Sequence, residues 1–295
     1  MGRPGPVTPL SIHSFFAMGS QCAIHLQGDD PDAAQGQALA GEAEVRRIEA
    51  RYSRYRDDSE LARINRLGAV GAPAELDDET RGLIAYAQAC FYKSGGAFDI
   101  TSGLLRQAWD FKSARIPDPA EIAALLPRIG MDKLALTGNI LSFAGPGLEL
   151  DFGGLGKEYA ADRAAETCQT LGARFGFVDL GGDVRVIGPQ WDGEPWRFGV
   201  RDPRRAGAAF ASVSLLEGAI ATSGDYERFF EADGRRHHHI LDPRTGWPAQ
   251  GLSSVSVIAD RCLVAGSLST AALVMGEAGA AWLDALGVRH ITVPG

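Results

Sequence analysis

Apolar and polar residues alternate with two different periods along this chain, and the two periods interleave without a regular order. Period-two alternation, which is typical of strands that bury one face, marks residues 196–200 and 253–259. Apolar residues at helical spacing mark residues 77–93, which end before a glycine pair, and the long apolar run at 262–275. The elements do not repeat as strand–helix–strand units, so the pattern favours an α+β fold over a doubly wound sheet.

Weaker signals of the same kind extend the assignment over the rest of the chain. Helices are predicted at residues 33–52, 104–109, 117–126 and 278–286, and strands at 14–26 with a break at 18–20, 129–143 as a hairpin, 175–180, 184–187, 211–216, 219–221, 228–231, 238–241 and 290–293. A short helix is expected to be capped by Asp58 or Ser59 and stopped by Gly68. Residues 222–225 are expected to form a polar loop.

Residues 148–165 combine three features that together favour an anion site. An apolar run that alternates with acidic residues predicts a strand at 148–152, glycines predict a tight turn, and apolar spacing predicts a helix that starts near Leu155. The free backbone N–H groups at such a helix start, together with Lys157 in its first turn, favour binding of a phosphate. A plain strand-to-helix connection is the alternative from this stretch alone.

Two well-known phosphate-binding motifs do not match this stretch. The P-loop needs Ser or Thr directly after its lysine, but Lys157 is followed by Glu158. The dinucleotide-binding fingerprint needs a third glycine at the place where this chain has Tyr159. The stretch is therefore neither an ordinary NTPase loop nor a Rossmann loop.

Length and composition are those of an ordinary globular protein. The 295 residues allow a single domain over 1–295, or two closely packed sub-domains, and the chain is 45% hydrophobic and 22% charged. A formal charge of -8 without a basic stripe argues against non-specific nucleic-acid binding. No apolar run approaches the roughly 20 residues that a transmembrane helix needs, so we expect no membrane span.

The four cysteines are scattered singly, and none belongs to a CxxC pair or to a Cys/His cluster with zinc spacing. Buried, reduced thiols are therefore expected, which fits a reducing compartment. The N-terminal stretch has no lysine-rich start, long apolar segment or lipobox cysteine. We therefore expect a cytoplasmic protein.

A series of short motifs runs from about residue 15 to the C-terminus. The motifs are Met18-Gly-Ser20, residues 53–65 from Ser53 to Asn65, Gly96-Ala-Phe-Asp99-Ile-Thr101, Asp151-Phe-Gly-Gly154-Leu-Gly-Lys157-Glu-Tyr159-Ala-Ala-Asp162, Gly181-Gly-Asp183, Ala221-Thr-Ser-Gly224-Asp-Tyr226, His239-Ile-Leu-Asp242-Pro-Arg-Thr-Gly246 and Thr270. Each motif is weak alone, but the whole series in this order is not expected by chance. The chain therefore resembles the ApbE family, the FAD:protein FMN transferases.

The resemblance implies a fold of mixed, largely antiparallel sheets packed with helices, and FAD as the substrate. It also implies that a divalent metal such as Mg²⁺ binds at the FAD pyrophosphate. Family members transfer FMN to a Thr or Ser hydroxyl of an acceptor flavoprotein while AMP leaves, and some mainly hydrolyse FAD to FMN and AMP. Both outcomes require neutralised charge on the phosphoryl oxygens and an aligned nucleophile.

The resemblance further implies roles for individual residues of this chain. Contacts with FAD are implied for Met18, Tyr55, Ala97, Phe98, Asp99, Asp151, Lys157 and Leu241. Metal contacts are implied for Gly154, Ser269 and Thr270, and catalytic roles for His239, Asp151 and Lys157. Residues of these motifs also have purely structural alternatives. Tyr55 would cap a core, Asp242 would only form a turn, and residues 237–239 would form a solvated hairpin.

One position departs from the family pattern. The family places an aspartate four residues before the metal-binding threonine, whereas this chain has Gly266 before Thr270. Residues four apart share a helix face, and Mg²⁺ usually takes at least one carboxylate, so we expect a weakened metal site.

Three readings remain open from the sequence. The first is an active FMN transferase or a metal-dependent FAD pyrophosphatase. The second is an FAD-binding protein with weak or no transferase activity, in which Gly266→Asp is expected to switch the activity on. The third, a purely structural domain, would require every motif to be a coincidence.

Overall fold

The computed structural model of this chain describes residues 9–205 and 207–295. Residues 1–8, on which part of the expectation about the N-terminus rests, lie outside the described residues. The helices are α1 (Pro31–Tyr52), α2 (Glu60–Val70), α3 (Asp78–Lys93), α4 (Pro119–Leu125), α5 (Gly156–Thr170), α6 (Cys262–Met275) and α7 (Glu277–Ala285). The strands are β1 (Leu10–Ala17), β2 (Ser20–Gln27), β3 (Ala74–Glu75), β4 (Leu134–Thr137), β5 (Ile140–Phe143), β6 (Gly176–Leu180), β7 (Asp183–Gly188), β8 (Trp196–Arg201), β9 (Ala209–Leu215), β10 (Ala219–Gly224), β11 (Phe229–Ala232), β12 (Arg235–His238), β13 (Leu252–Ala259) and β14 (Arg289–Pro294).

The chain divides into two compact units. The first unit contains the described residues up to 50, together with 155–222 and 256–266. The second unit contains residues 51–154, 223–255 and 267–295. Both units combine helices with antiparallel strand pairs, and the α+β prediction is confirmed.

The first unit is built on antiparallel strands. The pairs β1–β2, β2–β6, β6–β7 and β7–β10 are antiparallel, so these strands lie in the order β1-β2-β6-β7-β10. Helix α5 packs on β6 and β7, and its small residues, such as Ala160 and Ala164, are fully buried there. Small side chains let a helix approach a sheet closely, so this helix holds its first turn in a fixed place.

Side-chain caps begin the helices of the second unit. The Ser59 hydroxyl accepts a hydrogen bond from the backbone N of Ala62, which identifies Ser59 rather than Asp58 as the cap of α2. The Asp77 carboxylate accepts from the backbone N of Thr80 at the start of α3. These caps satisfy backbone donors that the first turn leaves free; the cap at Ser59 was one of the two that the sequence predicted, and the cap at Asp77 was not predicted.

Helix α2 does not stop at Gly68, so that prediction is wrong. The helix continues to Val70 and ends at Gly71, whose φ of 72° is in the left-handed region that glycine tolerates. Gly68 has a different function inside the helix. A Cβ atom at this position would lie 2.7 Å from the carbonyl oxygen of Leu148, so glycine allows the close approach of two backbone segments.

The strand predicted at 148–152 is also absent, although its alternation describes burial correctly. Leu148, Leu150 and Phe152 are buried. The side chain of Asn65 pairs with the backbone of Leu150 in both directions, at 2.8 and 2.9 Å, where a neighbouring strand would otherwise pair. Alternation therefore indicated an extended segment with one buried face, and a side chain rather than a strand satisfies its backbone.

An aromatic cluster forms one core of the second unit. Trp109 and Phe230 are buried in it with Leu104, Leu105 and Ile122. The helix predicted at 104–109 is a 3₁₀ helix at Ser102–Gln107, and the indole N–H of Trp109 donates to the carbonyl of Gly246 at 2.8 Å.

Residues 222–224 do not form the polar loop that the sequence predicted. Strand β10 runs through them to Gly224. In the first unit, the hydroxyl of Thr222 bonds that of Ser256 on β13 at 2.7 Å. Small hydroxyl side chains that bond each other are compatible with a strand, which composition alone did not reveal.

The cysteines are unpaired, as expected. Cys22, Cys168 and Cys262 of the first unit are buried, and Cys90 of the second unit is half-buried. In the part of the chain that the structure describes, no helix has both the length and the apolar character needed to cross a membrane.

Candidate active site

Three residues with implied roles in metal or FAD binding meet in the second unit. A Cβ atom built on Gly154 would lie 3.7 Å from the ring of Phe98 and 3.9 Å from the hydroxyl of Thr270. The turn that contains Gly154 is thus next to the second-unit part of α6. The sequence stretches that carry these residues are far apart, so the fold and not the local sequence brings them together.

A set of hydroxyl groups surrounds Thr270. The Ser223 hydroxyl lies 2.8 Å from that of Ser269 and 3.0 Å from that of Thr270. Ser269 is fully buried. We call Ser223, Ser269 and Thr270 the hydroxyl cluster. Ser223 was not among the predicted site residues, although it lies within the motif that begins at Ala221.

The oxygen atoms near Gly154 are the type of donor that a hard divalent cation binds, but they do not supply the negative charge that would balance it. Hydroxyl groups and a backbone carbonyl are oxygen donors of the type that Mg²⁺ takes. None of the three residues of the hydroxyl cluster carries a negative charge. A cation here would therefore depend on FAD phosphates and on a carboxylate from elsewhere for its charge balance.

Asp151 forms an ion pair in the second unit. Its carboxylate pairs with Arg54, whose guanidinium also donates to the Tyr55 hydroxyl at 2.8 Å and lies 4.9 Å from the centre of the Tyr55 ring. Tyr55 itself is 79% exposed, which excludes the alternative that it caps a core. Arg54 was not predicted, and its position next to Tyr55 in the motif 53–65 was the available signal.

Asp99 is buried in its own turn. Its carboxylate accepts hydrogen bonds from the backbone N and the hydroxyl of Thr101, at 2.7 and 2.6 Å. Burial raises the pKa of Asp99 to about 6, although these hydrogen bonds act in the opposite direction. Ala97 and Phe98 beside it are also buried. The Asp99 carboxylate thus stabilises the turn that holds Phe98 near Gly154.

The histidine segment does not form a solvated hairpin. Strand β12 ends at His238, which is buried and hydrogen-bonds the carbonyl of Ala249 through Nε2 at 2.7 Å. His237 stacks on Phe230 with ring centres 5.1 Å apart. His239 lies beyond the strand, half-buried, and its backbone N donates to Arg228 at 3.0 Å.

Leu241 and Asp242 have structural contacts in the same segment. Leu241 packs against the aromatic cluster of the second unit. The Asp242 carboxylate accepts from the backbone and side chain of Arg244 at 2.8 to 2.9 Å, so the turn-forming role that was the alternative for Asp242 is present.

Lys157 is not a mobile charge at the start of α5. Its ammonium group lies 2.6 Å from Oδ2 of Asp183 in the first unit, and Asp183 is buried. Burial lowers the pKa of Lys157, but the attraction of Asp183 and Glu158 outweighs it, so the net change is a rise. We call Lys157, Glu158 and Asp183 the charged cluster.

Glu158 adds a second carboxyl group to this cluster. Its side chain is buried, and burial together with the nearby Asp183 raises its pKa. Asp162, one turn further along α5, has different contacts. Its carboxylate accepts from the backbone N of Cys262 and of Leu263 at 2.8 and 3.0 Å and so caps the start of α6.

Met18 lies in the turn between β1 and β2 and has a φ of 53°, which is uncommon for a residue with a side chain. Its backbone N donates to the carboxylate of Glu49, which holds the turn against α1. The Met18 side chain is half-buried.

The first unit also contains a cavity of about 460 Å³ that the motifs did not predict. His25 on β2 and Phe177 on β6 face each other across the two strands, stack with ring centres 4.2 Å apart, and line it together with Trp196 and Phe198. Its volume is within the range of small-molecule sites. The cavity results from the pairing of strands that are apart in the sequence. The only sequence signal for it was that these residues alternate onto the same face of their strands.

Comparisons with known proteins cover the part of the chain in which the motifs lie. The model of the ApbE family matches residues 18–292. The chain is similar to the FAD:protein FMN transferase of Haemophilus influenzae, with 33% identity over 247 residues that cover 80% of this chain and 71% of the relative. It is also similar to the FAD:protein FMN transferase of Treponema pallidum, with 33% identity over 281 residues that cover 88% and 77%.

Solved structures give the same result for the fold. The ApbE protein of Thermotoga maritima has a TM-score of 0.89 and 35% identity, and the match covers 97% of this chain and 94% of that one. The flavinyl transferase ApbE of Pseudomonas stutzeri, in its apo form, has a TM-score of 0.88 and 32% identity, with 99% and 93% covered. The match of the family model to nearly the whole sequence leads to one conclusion: this chain belongs to the ApbE family.

Proposed function

We propose that this protein is an FAD:protein FMN transferase. The relatives described above carry that name. The observation that supports it best is the meeting of Gly154, Phe98 and Thr270, three residues from separate motifs, at one place in the second unit. The acceptor is a flavoprotein that presents a Thr or Ser hydroxyl.

The proposed reaction is a phosphoryl transfer that conserves every atom of FAD. The acceptor hydroxyl oxygen bonds to the phosphorus of the FMN half, and the bond from that phosphorus to the bridging oxygen breaks. The electron pair and the bridging oxygen leave with AMP, and the hydroxyl proton is released to a base. Attack by water instead of a hydroxyl gives FMN and AMP.

We assign roles to this chain's own residues accordingly. The exposed ring of Tyr55 offers a stacking surface to FAD, and Arg54 holds that ring and Asp151 in a fixed arrangement. Phe98 and Gly154 shape the turn beside Thr270. Lys157 supplies a fixed positive charge, and His239 is the candidate for the proton or for a phosphate contact. Met18, Ala97, Asp99 and Leu241 complete the proposed FAD contacts.

The proposed metal ligands are the carbonyl of Gly154 and the hydroxyls of Ser269 and Thr270. A divalent cation such as Mg²⁺ at that place would neutralise charge on the FAD phosphoryl oxygens. Ser223 orients both hydroxyls through its hydrogen bonds at 2.8 and 3.0 Å.

A direct test is to incubate the purified protein with FAD, Mg²⁺ and a Thr-containing acceptor protein. Formation of AMP together with an acceptor whose mass has increased by one FMN phosphoester supports the proposal. The matched control is the same acceptor with its Thr changed to Ala, which should stay unmodified. Absence of AMP over many hours, with intact FAD recovered, would contradict it.

A second candidate function is an FAD-binding protein that does not transfer FMN. The observation that favours it is Gly266, which leaves α6 without the carboxylate of the family pattern. In the same assay this candidate gives bound, intact FAD and no AMP. A third outcome, AMP and free FMN with no modified acceptor, would identify an FAD pyrophosphatase.

We also propose that the protein acts in a reducing compartment such as the cytoplasm. Its support is the presence of four unpaired cysteines. Fractionation of cells followed by detection with an antibody tests this, and recovery outside the cytoplasmic fraction would contradict it.

A further inference from the structure

The space beside Gly266 in the first unit is occupied by the side chain of Glu158. A Cβ atom built on Gly266 would lie 2.4 Å from Cγ of Glu158 and 3.0 Å from both its Cδ and its Oε1. A side chain at position 266 would therefore displace Glu158. The glycine in α6 and the glutamate in the first turn of α5 are sterically matched.

Glu158 brings a carboxyl group into this space from the other helix. The residue is 6% exposed, and its Oε2 atom is buried without a hydrogen-bond partner among the described residues. A buried carboxylate oxygen without a donor costs free energy unless a cation reaches it. The unbonded oxygen thus indicates a missing positive partner.

Asp183 is hydrogen-bonded to the Glu158 side chain, but it is itself acidic and supplies no positive charge. The Lys157 ammonium lies 2.6 Å from Asp183, so two carboxyl groups share one ammonium in the charged cluster. Asp162 is already bonded to the backbone N of Cys262 and Leu263 and to Arg185. Of Glu158 and Asp162 on α5, Glu158 is therefore the one with a carboxylate oxygen available to bind a cation.

We infer that Glu158 supplies the metal-binding carboxylate that α6 lacks at Gly266. The inference rests on the proposed function, because it assumes that a divalent cation is used together with FAD. The ligand class is a hard divalent cation, Mg²⁺ or Mn²⁺, which prefers carboxylate and phosphate oxygens. In the described residues no group of three or more His, Cys, Asp or Glu side chains could hold a metal. Mg²⁺ is usually held by one or two carboxylates together with substrate phosphates.

The inference changes the expectation for Gly266→Asp. The sequence alone predicted that restoring an aspartate would switch activity on. With Glu158 in place, the new side chain has no room, since its Cβ atom would meet Glu158 Cγ at 2.4 Å. Only the exchange of both positions, Glu158→Gly with Gly266→Asp, returns a single carboxylate to α6 without a clash.

The test measures metal binding directly in the full chain. Mn²⁺ is titrated in the presence of ADP, which carries the adenosine diphosphate part of FAD but no flavin, and free Mn²⁺ is measured by electron paramagnetic resonance. We expect Glu158→Gln to weaken Mn²⁺ binding by at least roughly tenfold, since losing even a neighbour of a ligand has effects of tenfold or more. The double exchange is expected to recover most of it, and Gly266→Asp alone is not.

Glu42→Gln is the matched control. Glu42 is a half-buried carboxylate of the first unit that bonds His13 and Arg46, away from the charged cluster. The control should bind Mn²⁺ like the parent chain. Circular dichroism and thermal unfolding identify any variant that fails to fold, and the double exchange keeps the test decisive if Glu158→Gln does not fold.

Each outcome decides the inference. Parent-like Mn²⁺ binding by Glu158→Gln, no Mn²⁺ binding by the parent chain, or a folded double exchange without Mn²⁺ binding would each overturn it. Failure of the proposed function is visible separately. If the parent chain binds Mn²⁺ through Glu158 but forms no AMP from FAD, the inference about Glu158 stands and the proposed transferase function is wrong.

Discussion

The charged cluster of the first unit and the hydroxyl cluster of the second unit use opposite chemistry. The charged cluster places two buried acidic groups, Glu158 and Asp183, beside the half-buried Lys157, and each unbalanced buried charge costs several kcal/mol. Ser223, Ser269 and Thr270 are neutral and satisfy one another through hydrogen bonds near 3 Å. The comparison teaches that removing one group should affect folding strongly in the charged cluster and only mildly in the hydroxyl cluster.

The largest expected effect is that of Asp183→Asn. This change keeps the shape but removes the closest counter-charge of Lys157. We expect a loss of about 3 kcal/mol in the free energy of unfolding, at the lower end of the range for broken buried pairs because Glu158 remains nearby. Urea denaturation measures it.

Asp202→Asn is the matched control for that experiment. Asp202 of the first unit is also buried, at 9% exposed, but its partner Arg205 has a side chain that is 81% exposed. We expect a loss of less than about 1 kcal/mol there. Equal losses in the two variants would break the comparison.

A pH experiment tests a buried charge in the second unit. Burial raises the pKa of Asp99 to about 6, above its ordinary value of 3.8. The folded protein then binds the proton more tightly than the unfolded chain, so this contribution to stability is present below about pH 4 and is lost as the pH rises through about 6. Between pH 4 and 7 the parent should lose about 2 to 3 kcal/mol relative to Asp99→Asn. A difference between the two proteins that stays constant with pH would contradict this.

Ser223→Ala should have a smaller effect on stability. It removes two hydrogen bonds, and Ser269 and Thr270 can still bond other groups, so we expect a loss of about 1 kcal/mol. In the proposed function it should also raise the Mg²⁺ concentration needed for half-maximal AMP release. Ser256→Ala, which removes a comparable hydroxyl pair in the first unit, should lower stability similarly and leave the Mg²⁺ dependence unchanged. The same Mg²⁺ dependence in both variants would contradict the proposal that Ser223 orients the metal-binding hydroxyls.

Tyr55→Ala is expected to change stability least. The ring is 79% exposed, so the free energy of unfolding should change by less than about 0.5 kcal/mol. In the proposed function, loss of its stacking surface should weaken FAD binding by roughly twofold to tenfold, as measured by fluorescence quenching of the flavin. Tyr92→Ala, at another exposed tyrosine of the second unit (65%), should leave FAD binding unchanged. Unchanged FAD binding in both the Tyr55→Ala and the Tyr92→Ala variant would show that Tyr55 does not contact FAD.

Local signals predicted much of the fold because the physics behind them is local. Asp58 or Ser59 was predicted as the cap of α2, where Ser59 is found, and α6 has the predicted bounds. The segment at 148–152 shows the limit of this reasoning. Alternation reports which face is buried, but whether a strand or the Asn65 side chain pairs with the backbone depends on residues far away in the chain.

The same limit explains what was missed in the candidate site. Spacing placed Lys157 in a helix start but did not reveal that Asp183, beyond the end of that helix, holds its ammonium group. Gly266 was interpreted as a lost carboxylate because a family pattern is compared with the sequence one position at a time. The structure fills the same space from Glu158, and only contacts between two helices reveal such an exchange.

The buried free thiols of the first unit can report on its opening. Burial raises the pKa of Cys168 in the first unit to about 12 and also raises the pKa of Cys90 in the second unit. A fully buried thiol reacts with a disulfide reagent only when its surroundings open, so the labelling rate of Cys168 measures a local opening free energy of the first unit, whereas the half-buried Cys90 is partly accessible without opening. Mass spectrometry of the two labelled peptides from one sample therefore compares this protected thiol with a partly accessible one.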